Sequence, residues 1–336
     1  MNYKLNAVAA PVIAQIKDEL ENELANWRFA ANAETNAICH YTLPGGKRLR
    51  PTMLLITARA LNLRNNLCNQ LAMAVELLHN ATLIHDDILD DADLRHDRPS
   101  VSKQCGQNSG LLAGDMLYAH TFKLISTIEN TELRLELAET ACALTEAEFS
   151  QLEQKDYWQS NHYSDIDTLW DESVYFNIIK GKTARLFRFC CLAPALLARA
   201  PTEIQDALAY YGEQFGLAFQ LVDDALDCAP EKNKLGKQAG IDLKEGIITL
   251  PLARALQVSH ADGRKAIQTA LHSSSPTDAQ IAVALQAIHA TDAYQYTIES
   301  AKRCANTALE ALQALPDNEY TGILATMVQD IATRAS

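Results

Sequence analysis

Residues 83–100 read LIHDDILDDADLRHDRPS, and this stretch decides what the rest of the chain is expected to form. An apolar run ends here in six aspartates that fall within twelve residues. Asp86, Asp87 and Asp90 are spaced D-D-x-x-D, so they share one face at the C-terminal end of a helix. The helix dipole is already negative there, and Mg²⁺, which prefers carboxylate oxygens, would remove the conflict. A solvated acidic helix end is the alternative.

The same spacing recurs in FQLVDDALD, again at the end of a long apolar segment, residues 203–229. Asp223, Asp224 and Asp227 repeat the pattern of the first motif. Two such helix ends that face each other would form a cage of six carboxylates, which is unstable without cations. The natural bridging ligand for those cations is a diphosphate. The two motifs together therefore predict a metal site that binds a diphosphate.

The stretch GGKRLRP, residues 45–51, supplies the opposite charge. Lys47, Arg48 and Arg50 come immediately before a helix that is predicted to begin near Pro51. Basic side chains next to the free N–H groups of a helix start can form an anion site. A solvated basic turn is the commoner meaning of such a run. Its combination with the aspartate motifs indicates two different phosphorylated substrates.

Composition restricts the function classes. The chain has 336 residues, 48% of them hydrophobic, and a formal net charge of −13, which argues against a general nucleic-acid binder. None of its eight cysteines forms a C-x-x-C pair, so we expect reduced, buried thiols in a cytoplasmic protein rather than a disulfide framework or a zinc site. We expect no secretory signal, and no apolar run approaches the length of a transmembrane helix.

Helical periodicity dominates the chain and predicts an all-α protein. An amphipathic helix is expected over 9–28 and a long, mostly apolar helix over 67–91, whereas residues 159–165 are expected to form a loop. No alternating strand pattern persists. Because the candidate site residues are scattered along the chain, we predict one domain over 1–336, with a motif-bearing core at about 40–255 and C-terminal helices at about 256–336.

These motifs resemble those of the trans-type polyprenyl (isoprenyl) diphosphate synthases. The resemblance rests on GGKRLRP, ELLHNATLIHDDILD, LLAGDMLYA, KTARLF, FGLAFQLVDDALD and the glycine-bearing loop at 235–251. It implies an isoprenoid synthase fold, a single large helical bundle around a central cavity. It also implies a homodimer that uses several Mg²⁺ ions to join isopentenyl diphosphate head to tail (1′-4) to an allylic diphosphate.

The resemblance also implies roles for individual residues. The residues that it implies bind metal are Asp86, Asp87, Asp90, Asp223, Asp224 and Asp227. The residues that it implies contact the allylic diphosphate are Arg95, Lys182 and Lys237. The residues that face the developing allylic cation are Thr183 and Gln220. The isopentenyl diphosphate site comprises Gly45, Gly46, Lys47, Arg50 and His79, with His96 at a position where the family has an arginine.

The implied chemistry agrees with these residue types. Cleavage of the carbon–oxygen bond gives an allylic cation and free diphosphate, and cations stabilise the charge on that leaving group. The alkene of isopentenyl diphosphate then attacks the allylic cation. The released diphosphate removes the last proton, which explains why no side-chain base stands out. A dry, apolar cavity keeps water away from the cation.

The sequence departs from the family pattern in two segments. His96 and Asp97 follow Arg95 where the family has arginine and glycine. Ile247 replaces a lysine of the family's Gly-Lys-x-Thr-Leu-Pro loop, and Lys244 lies nearby. These departures bear on the strength of catalysis more than on the fold or on metal binding.

Small residues before the first aspartate motif predict a long product. Ala81 and Thr82 stand where bulky aromatics block elongation in short-chain members of the family. Leu78 lies deeper on the same helix, and Phe122 on the neighbouring segment is a candidate floor of the tunnel. We therefore expect a product longer than C15, in the octaprenyl-like range. A short-chain (C15–C20) farnesyl or geranylgeranyl diphosphate synthase is the alternative.

Three other protein classes fit the sequence less well. A weakly active subunit of a heteromeric prenyltransferase usually loses aspartates, and here all six remain. A class I terpene cyclase does not need GGKRLRP, and a ferritin-type bundle needs Glu-x-x-His pairs that are not convincingly placed. The expected partners are the two diphosphate substrates and a second copy of the chain. We expect no nucleic acid and no membrane span, but a transient membrane contact during product release.

Overall fold

The computed structural model describes residues 9–159, 172–229, 239–273 and 275–333. These residues confirm the all-α prediction, because within them only two strands of two residues each interrupt the helices. The helices are α1 (Ala9–Asn26), α2 (Ala33–Thr42), α3 (Leu49–Ala60), α4 (Asn66–Leu89), α5 (Val101–Cys105), α6 (Gln107–Ser126), α7 (Thr131–Gln159), α8 (Glu172–Ile179), α9 (Arg185–Leu197), α10 (Thr202–Asp227), α11 (Ile241–Glu245), α12 (Leu250–Val258), α13 (Ala261–Leu271), α14 (Asp278–His289), α15 (Ala293–Ala311) and α16 (Glu319–Thr333).

The helices that carry the aspartate motifs end where the sequence predicts. The C-cap of α4 is Asp90, whose backbone N–H donates to Asp86 O at 2.9 Å. Helix α10 ends at Asp227, the last residue of the second motif. Of the loop expected at 159–165, Gln159 closes α7 and the remainder lies outside the described residues. Both D-D-x-x-D patterns therefore lie at helix C-termini.

Helix α3 begins earlier than predicted. Its first residue is Leu49, so Pro51 is the third helical residue rather than the first. Proline is tolerated there because the first-turn N–H groups of a helix have no intrahelical acceptor. Arg48 is the N-cap, with a φ of 54° in the left-handed region. Arg50 consequently projects from the helix and not from the loop before it.

A short hairpin, which no sequence pattern indicates, follows the first motif. Strand β1 (Leu94–Arg95) pairs with β2 (Arg98–Pro99) in antiparallel register. The two loop residues, His96 and Asp97, have φ values of 51° and 60°. Positive φ at both central residues is the mark of a type I′ turn, which favours Asn-Gly or Asp-Gly. His-Asp is not such a signal, and two-residue strands are too short for alternation to be visible.

The described residues fall into two compact units. Unit 1 lies within Met1–Ala141, Phe189–Ala209 and Ala314–Thr326. In this unit Leu71, Leu77 and Leu78 of α4 are fully buried, and α4 packs against α3 and α6. Burial of α4 on most sides explains its nearly continuous apolar sequence.

Unit 2 lies within Cys142–Arg188, Tyr210–Gln313 and Met327–Ser336. Phe187 packs on Phe215 with ring centroids 5.1 Å apart, and both side chains are fully buried. A second apolar cluster is formed by residues of α11 to α15: Leu243, Leu252, Leu256, Ile267, Leu285 and Ile288. This cluster supports the C-terminal side of the second aspartate motif, since it also includes Cys228.

The sequence also predicts that no helix spans a membrane and that the cysteines are buried, reduced thiols. Of the helices in the described ranges, none is both long and apolar enough to cross a membrane. The cysteines are all free. The expectation of buried thiols is wrong for Cys142, which is exposed, and holds only in part for Cys105 and Cys304.

Candidate functional site

The glycines before α3 lie directly against the hairpin turn. Gly45 and Gly46 have φ values of 108° and 77°, which favour glycine. A Cβ on Gly45 would lie 2.8 Å from Nδ1 of His96, and one on Gly46 would lie 3.6 Å from its Cε1. The imidazole therefore rests on this loop, as expected for residues of one substrate site. Lys47, the next residue, is partly exposed.

Arg48 does not belong to the exposed basic cluster in which the sequence placed it. Its side chain is 3% exposed, and its Nε and Nη1 atoms donate to Glu21 Oε1 and Glu76 Oε1, each at 2.6 Å. Its Nη2 donates to Leu43 O at 2.5 Å, and Asn80 Nδ2 donates to the same Glu76 oxygen at 2.8 Å. Burial raises the pKa of the Glu76 carboxyl, although the Arg48 guanidinium opposes this effect. Arg48 thus fixes the loop instead of binding a ligand.

Arg50 and His79 come together as predicted. Arg50 Nη1 donates to His79 Nε2 at 3.1 Å, so this ring nitrogen is unprotonated. Burial lowers the pKa of His79 well below its ordinary value, and the positive charges of Arg50, Arg95 and Arg48 lower it further. His79 is therefore a neutral acceptor that orients a guanidinium, and not a second cation.

The first aspartate motif offers carboxylates in three different environments. Asp87 is buried and accepts hydrogen bonds from Arg95, through Nε at 2.9 Å and through Nη2. Asp86 is partly exposed, whereas Asp90 is exposed at the helix end. Arg95, predicted to bind a diphosphate, thus lies on the motif itself. Two further acids of the same stretch, Asp91 and Asp93, are paired with Lys103 at 2.8 and 3.2 Å.

In unit 2 the second motif belongs to a chain of hydrogen bonds. Thr183 Oγ1 donates to Gln220 Oε1 at 2.7 Å, and Gln220 Nε2 donates to Asp224 Oδ1 at 2.7 Å. Tyr175 OH donates to the other oxygen, Asp224 Oδ2, at 2.5 Å. The predicted residues Thr183, Gln220 and Asp224 are therefore in contact. Sequence reasoning missed Tyr175, because a tyrosine in an apolar helix carries no motif signal.

Several carboxylates crowd around Asp224 and change its acidity. Burial raises the pKa of Asp224 to about 7, and the charges of Asp223 and Asp227 add to the effect. Asp242, which was not among the predicted site residues, is partly buried, and desolvation raises its pKa well above the usual value. Its backbone N–H donates to Asp227 Oδ2 at 3.1 Å, while its own Oδ2 has no hydrogen-bond partner among the described residues. Such crowding of acids is the donor chemistry that a divalent cation stabilises.

No preformed metal centre exists among the described parts of the chain, where no group of three or more histidine, cysteine or acidic side chains is arranged to hold an ion. Both oxygens of Asp224 accept hydrogen bonds, and Asp87 is paired with Arg95. Carboxylate oxygens that each accept one hydrogen bond keep a further lone pair for a cation. Their chemical type fits a hard cation, and their present contacts hold them as acceptors.

Lys182 and Thr183 lie within a continuous helical segment. A π-helical segment, Lys180–Ala184, joins α8 to α9. Such π segments are rare in proteins, and those that occur often lie at functional sites. Lys182 Nζ lies 2.6 Å from Glu148 Oε2. A pocket of about 600 Å³ is lined by Lys182, Thr183, Gln220, Asp224, Asp242, Tyr175 and Ile247.

Ile247 and His96, two positions at which the sequence departs from the family pattern, lie among the described residues. Ile247 lines the pocket of unit 2, so a lysine at this position would reach it. His96 lies at the tip of the hairpin, exposed on one side. Lys237 lies outside the described residues.

The residues predicted to set product length lie partly in the core. Leu78 and Ala81 are fully buried in α4, and Thr82 is partly buried. Phe122 is 40% exposed and stacks on Tyr118 with centroids 6.3 Å apart. Ala81 therefore faces the interior of unit 1, and the roles of these residues and of Phe122 in product length stay predictions.

Comparison with known sequences gives the family context. A sequence model described as polyprenyl synthetase matches residues 32–288, a range that contains both aspartate motifs. The all-trans-nonaprenyl-diphosphate synthase (geranyl-diphosphate specific) of Rhodobacter capsulatus is 34% identical over 86% of this chain and 86% of the relative. The octaprenyl diphosphate synthase of Haemophilus influenzae is 33% identical over 84% and 83%. Heptaprenyl diphosphate synthase component 2 of Geobacillus stearothermophilus is 33% identical over 96% and 95%.

Solved structures have the same fold. A polyprenyl synthase from Caulobacter crescentus CB15, complexed with calcium and isoprenyl diphosphate, matches with a TM-score of 0.86 and 30% identity over 98% of each chain. Geranylgeranyl pyrophosphate synthetase from Pyrococcus horikoshii Ot3 matches with a TM-score of 0.83 and 26% identity over 96% of this chain and 98% of that one. The isoprenoid synthase fold expected from the motifs is confirmed.

Proposed function

Because this chain is a prenyltransferase that belongs to the polyprenyl synthetase family, we propose that it makes a long-chain all-trans polyprenyl diphosphate. The reaction joins isopentenyl diphosphate head to tail (1′-4) to an allylic diphosphate. Relatives named for nonaprenyl, octaprenyl and heptaprenyl products support a product longer than C15. A geranylgeranyl pyrophosphate synthetase is also similar, so a short-chain (C15–C20) product is the alternative within the same reaction.

The observation that carries the proposal is the polar chain in unit 2. The Thr183 hydroxyl donates a hydrogen bond to Gln220, so the lone pairs of its oxygen can face a cation. Gln220 in turn donates to Asp224, which orients the amide with its oxygen towards Thr183. Two neutral oxygens beside a carboxylate stabilise positive charge without acting as nucleophiles. This is the requirement of an allylic cation that must survive until it is attacked.

The proposal includes Mg²⁺ as the resident cofactor. The proposed ligands are Asp86, Asp87, Asp90, Asp223, Asp224 and Asp227. When bound, Mg²⁺ neutralises negative charge on the diphosphate that leaves. The raised pKa of Asp224 supports a cation in unit 2, because it reflects the burial of this carboxyl beside Asp223 and Asp227. Calcium in the Caulobacter crescentus relative supports a divalent ion of the same chemical type.

The remaining residues would bind and orient the substrates. Arg95, Lys182 and Lys237 are proposed to contact the allylic diphosphate. Gly45, Gly46, Lys47, Arg50, His79 and His96 are proposed to bind isopentenyl diphosphate. Neutral His79 accepts a hydrogen bond from Arg50 and thereby orients that guanidinium, which is the group proposed to meet a phosphate.

Product chromatography tests the proposal directly. Purified protein is incubated with Mg²⁺, labelled isopentenyl diphosphate and, in separate reactions, dimethylallyl, geranyl or farnesyl diphosphate. The expected result is a series of all-trans products that ends beyond C15. A protein that incorporates no label with any primer would overturn the proposal that this chain alone catalyses the reaction. A protein that stops at C15–C20 would replace the long-chain product with the short-chain alternative.

A second candidate is a subunit of a heteromeric prenyltransferase. The observation in its favour is the relative from Geobacillus stearothermophilus, which is named component 2. Size-exclusion chromatography with light scattering, on the same preparation that is assayed, separates the two. An active homodimer supports the first proposal, whereas an inactive chain that gains activity only with a second protein supports this one.

The proposed location is the cytoplasm, with transient membrane contact when the apolar product leaves. The free state of the cysteines supports a reducing compartment. Cell fractionation tests the location: the chain is expected in the soluble fraction, with a small share on membranes that grows when product accumulates.

A further inference from the structure

The hairpin after the first aspartate motif places two arginines side by side. Arg95 and Arg98 are cross-strand partners, and opposed residues of an antiparallel pair project from the same face. Both line a small pocket in unit 1, together with His96 and Asp87. The sequence motifs account for Arg95 and His96 but give Arg98 no role.

Arg98 and Arg95 differ in their electrostatic surroundings. Arg95 is paired with Asp87, whereas no carboxylate of the described residues lies within ion-pair distance of Arg98. The Arg98 guanidinium lies over the ring of Tyr41, 4.4 Å from the centroid. Tyr41 is itself fixed to the hairpin, because its hydroxyl donates to Pro99 O at 2.9 Å. A guanidinium stacked in this way keeps its N–H donors in its own plane and available to a ligand.

The rest of the pocket is mostly apolar. Its wall includes Pro44, Leu83, Ile84 and Val101. A preorganised cation at the rim of a small apolar pocket fits a short anionic amphiphile, whose charged end meets the arginine and whose hydrocarbon meets the wall.

We propose that Arg98 binds the diphosphate of isopentenyl diphosphate beside His96. This inference rests on the proposed function and assigns one more residue to it. His96 connects the two regions, since it lines the pocket with Arg98 and also rests on Gly45 and Gly46. Burial and the charge of Arg95 lower the pKa of His96, so the imidazole adds no fixed charge near neutrality. Arg98 supplies the permanent charge that the histidine lacks.

Steady-state kinetics with each substrate varied in turn test the inference. Arg98→Gln keeps a polar side chain of similar reach but removes the charge. It should raise KM for isopentenyl diphosphate about 10- to 100-fold, the range for one lost charge-assisted contact. The KM for the allylic diphosphate and kcat should change less than about threefold on the same scale. Arg98→Lys, which keeps the charge but not the planar fork, should fall between wild type and Arg98→Gln.

A rescue variant and a control sharpen the test. His96→Arg in the Arg98→Gln background should restore most of the lost affinity, because it returns a permanent cation to the same pocket. Arg64→Gln is the matched control: Arg64 also lies over a tyrosine ring, 6.0 Å from the centroid of Tyr320, but at a different part of unit 1. It should leave both KM values unchanged.

The outcomes separate the inference from the function it rests on. If the wild-type chain makes no product, the proposed function fails and the inference with it. If the wild-type chain condenses its substrates and Arg98→Gln keeps the wild-type KM for isopentenyl diphosphate, the inference alone is wrong. A loss of kcat with both substrates, accompanied by a lower midpoint of thermal unfolding, would show a structural role and also overturn it.

Discussion

Arg48 illustrates at the scale of one residue how burial changes the meaning of a charge. In the sequence it is the middle of a basic run, yet its side chain is 3% exposed and lies between Glu21 and Glu76. Its partner Glu76 is 28 positions away along the chain, and no local pattern announces the pair. Lys47 and Arg50, on either side, are less buried than Arg48.

Removal of Arg48 should leave a buried carboxylate without its partner. We expect Arg48→Met to lower the free energy of unfolding by about 3–5 kcal/mol, the usual cost of breaking a buried pair. Arg48→Met combined with Glu76→Leu should recover most of that loss, since a buried pair can often be replaced by apolar side chains. Urea unfolding measures both. A single variant within about 1 kcal/mol of wild type would show that the pair is not buried as described.

His79 should make the chain less stable in mild acid. Its pKa in the folded chain lies well below the ordinary 6.5, because the side chain is desolvated and faces the charges of Arg50, Arg95, Arg48 and His96. Between the folded and unfolded pKa values the unfolded chain binds more protons, so stability falls as pH drops below about 6.5. Relative to wild type, His79→Gln should lose less stability between about pH 7.5 and 5.5. Urea midpoints at the two pH values provide the measurement, and equal losses would contradict the assignment of a neutral imidazole.

At the scale of elements, close helix packing positions the polar chain of unit 2. A Cβ on Gly216 of α10 would lie 2.5 Å from Ala184 Cα in the π segment. Glycine at this position lets the two helical segments approach until Thr183 reaches Gln220 at 2.7 Å. The sequence shows the glycine but not the neighbour that makes it necessary.

Gly216→Ala should therefore separate these segments. We expect a loss of about 1–3 kcal/mol in the free energy of unfolding, as for other overpacked sites, together with a lower kcat. Gly322→Ala is the matched control, because Gly322 in α16 has no atom within 4 Å of the added Cβ. It should gain up to about 1 kcal/mol from helix propensity and keep its kcat. If Gly216→Ala matches wild type in kcat, the contact between Thr183 and Gln220 is not needed for the reaction.

Helix α4 should set product length through its small residues. Ala81 is fully buried, so Ala81→Phe fills space inside unit 1 and should move the product distribution towards C15–C20 while the first condensation continues. Some stability, about 1–3 kcal/mol, should be lost to overpacking. Chromatography of products made from farnesyl diphosphate tests this expectation. An unchanged product profile would show that this wall does not limit the chain.

Across the whole molecule, what could be predicted follows from the range of the interactions. Helices α4 and α10 were predictable because long apolar runs end in repeated acids, and the family resemblance follows from the same motifs. Tyr175 was not predictable, since its partner Asp224 is 49 positions away. The hairpin was missed because its strands have two residues each and its turn is His-Asp. The π segment was missed because helix type depends on packing that periodicity does not report.

The central claim is that the two aspartate motifs bind the divalent cations on which prenyl transfer depends. The most direct measurement is product formation from labelled isopentenyl diphosphate and farnesyl diphosphate, with Mg²⁺ and with EDTA. It is made for the wild-type chain, Asp86→Ala, Asp223→Ala and the control Asp206→Ala, which changes an exposed acid elsewhere on α10. We predict no product in EDTA, a loss of at least about 100-fold in kcat for the two motif variants, and wild-type turnover for Asp206→Ala. Full activity in EDTA, or normal turnover of Asp86→Ala and Asp223→Ala, would contradict the claim.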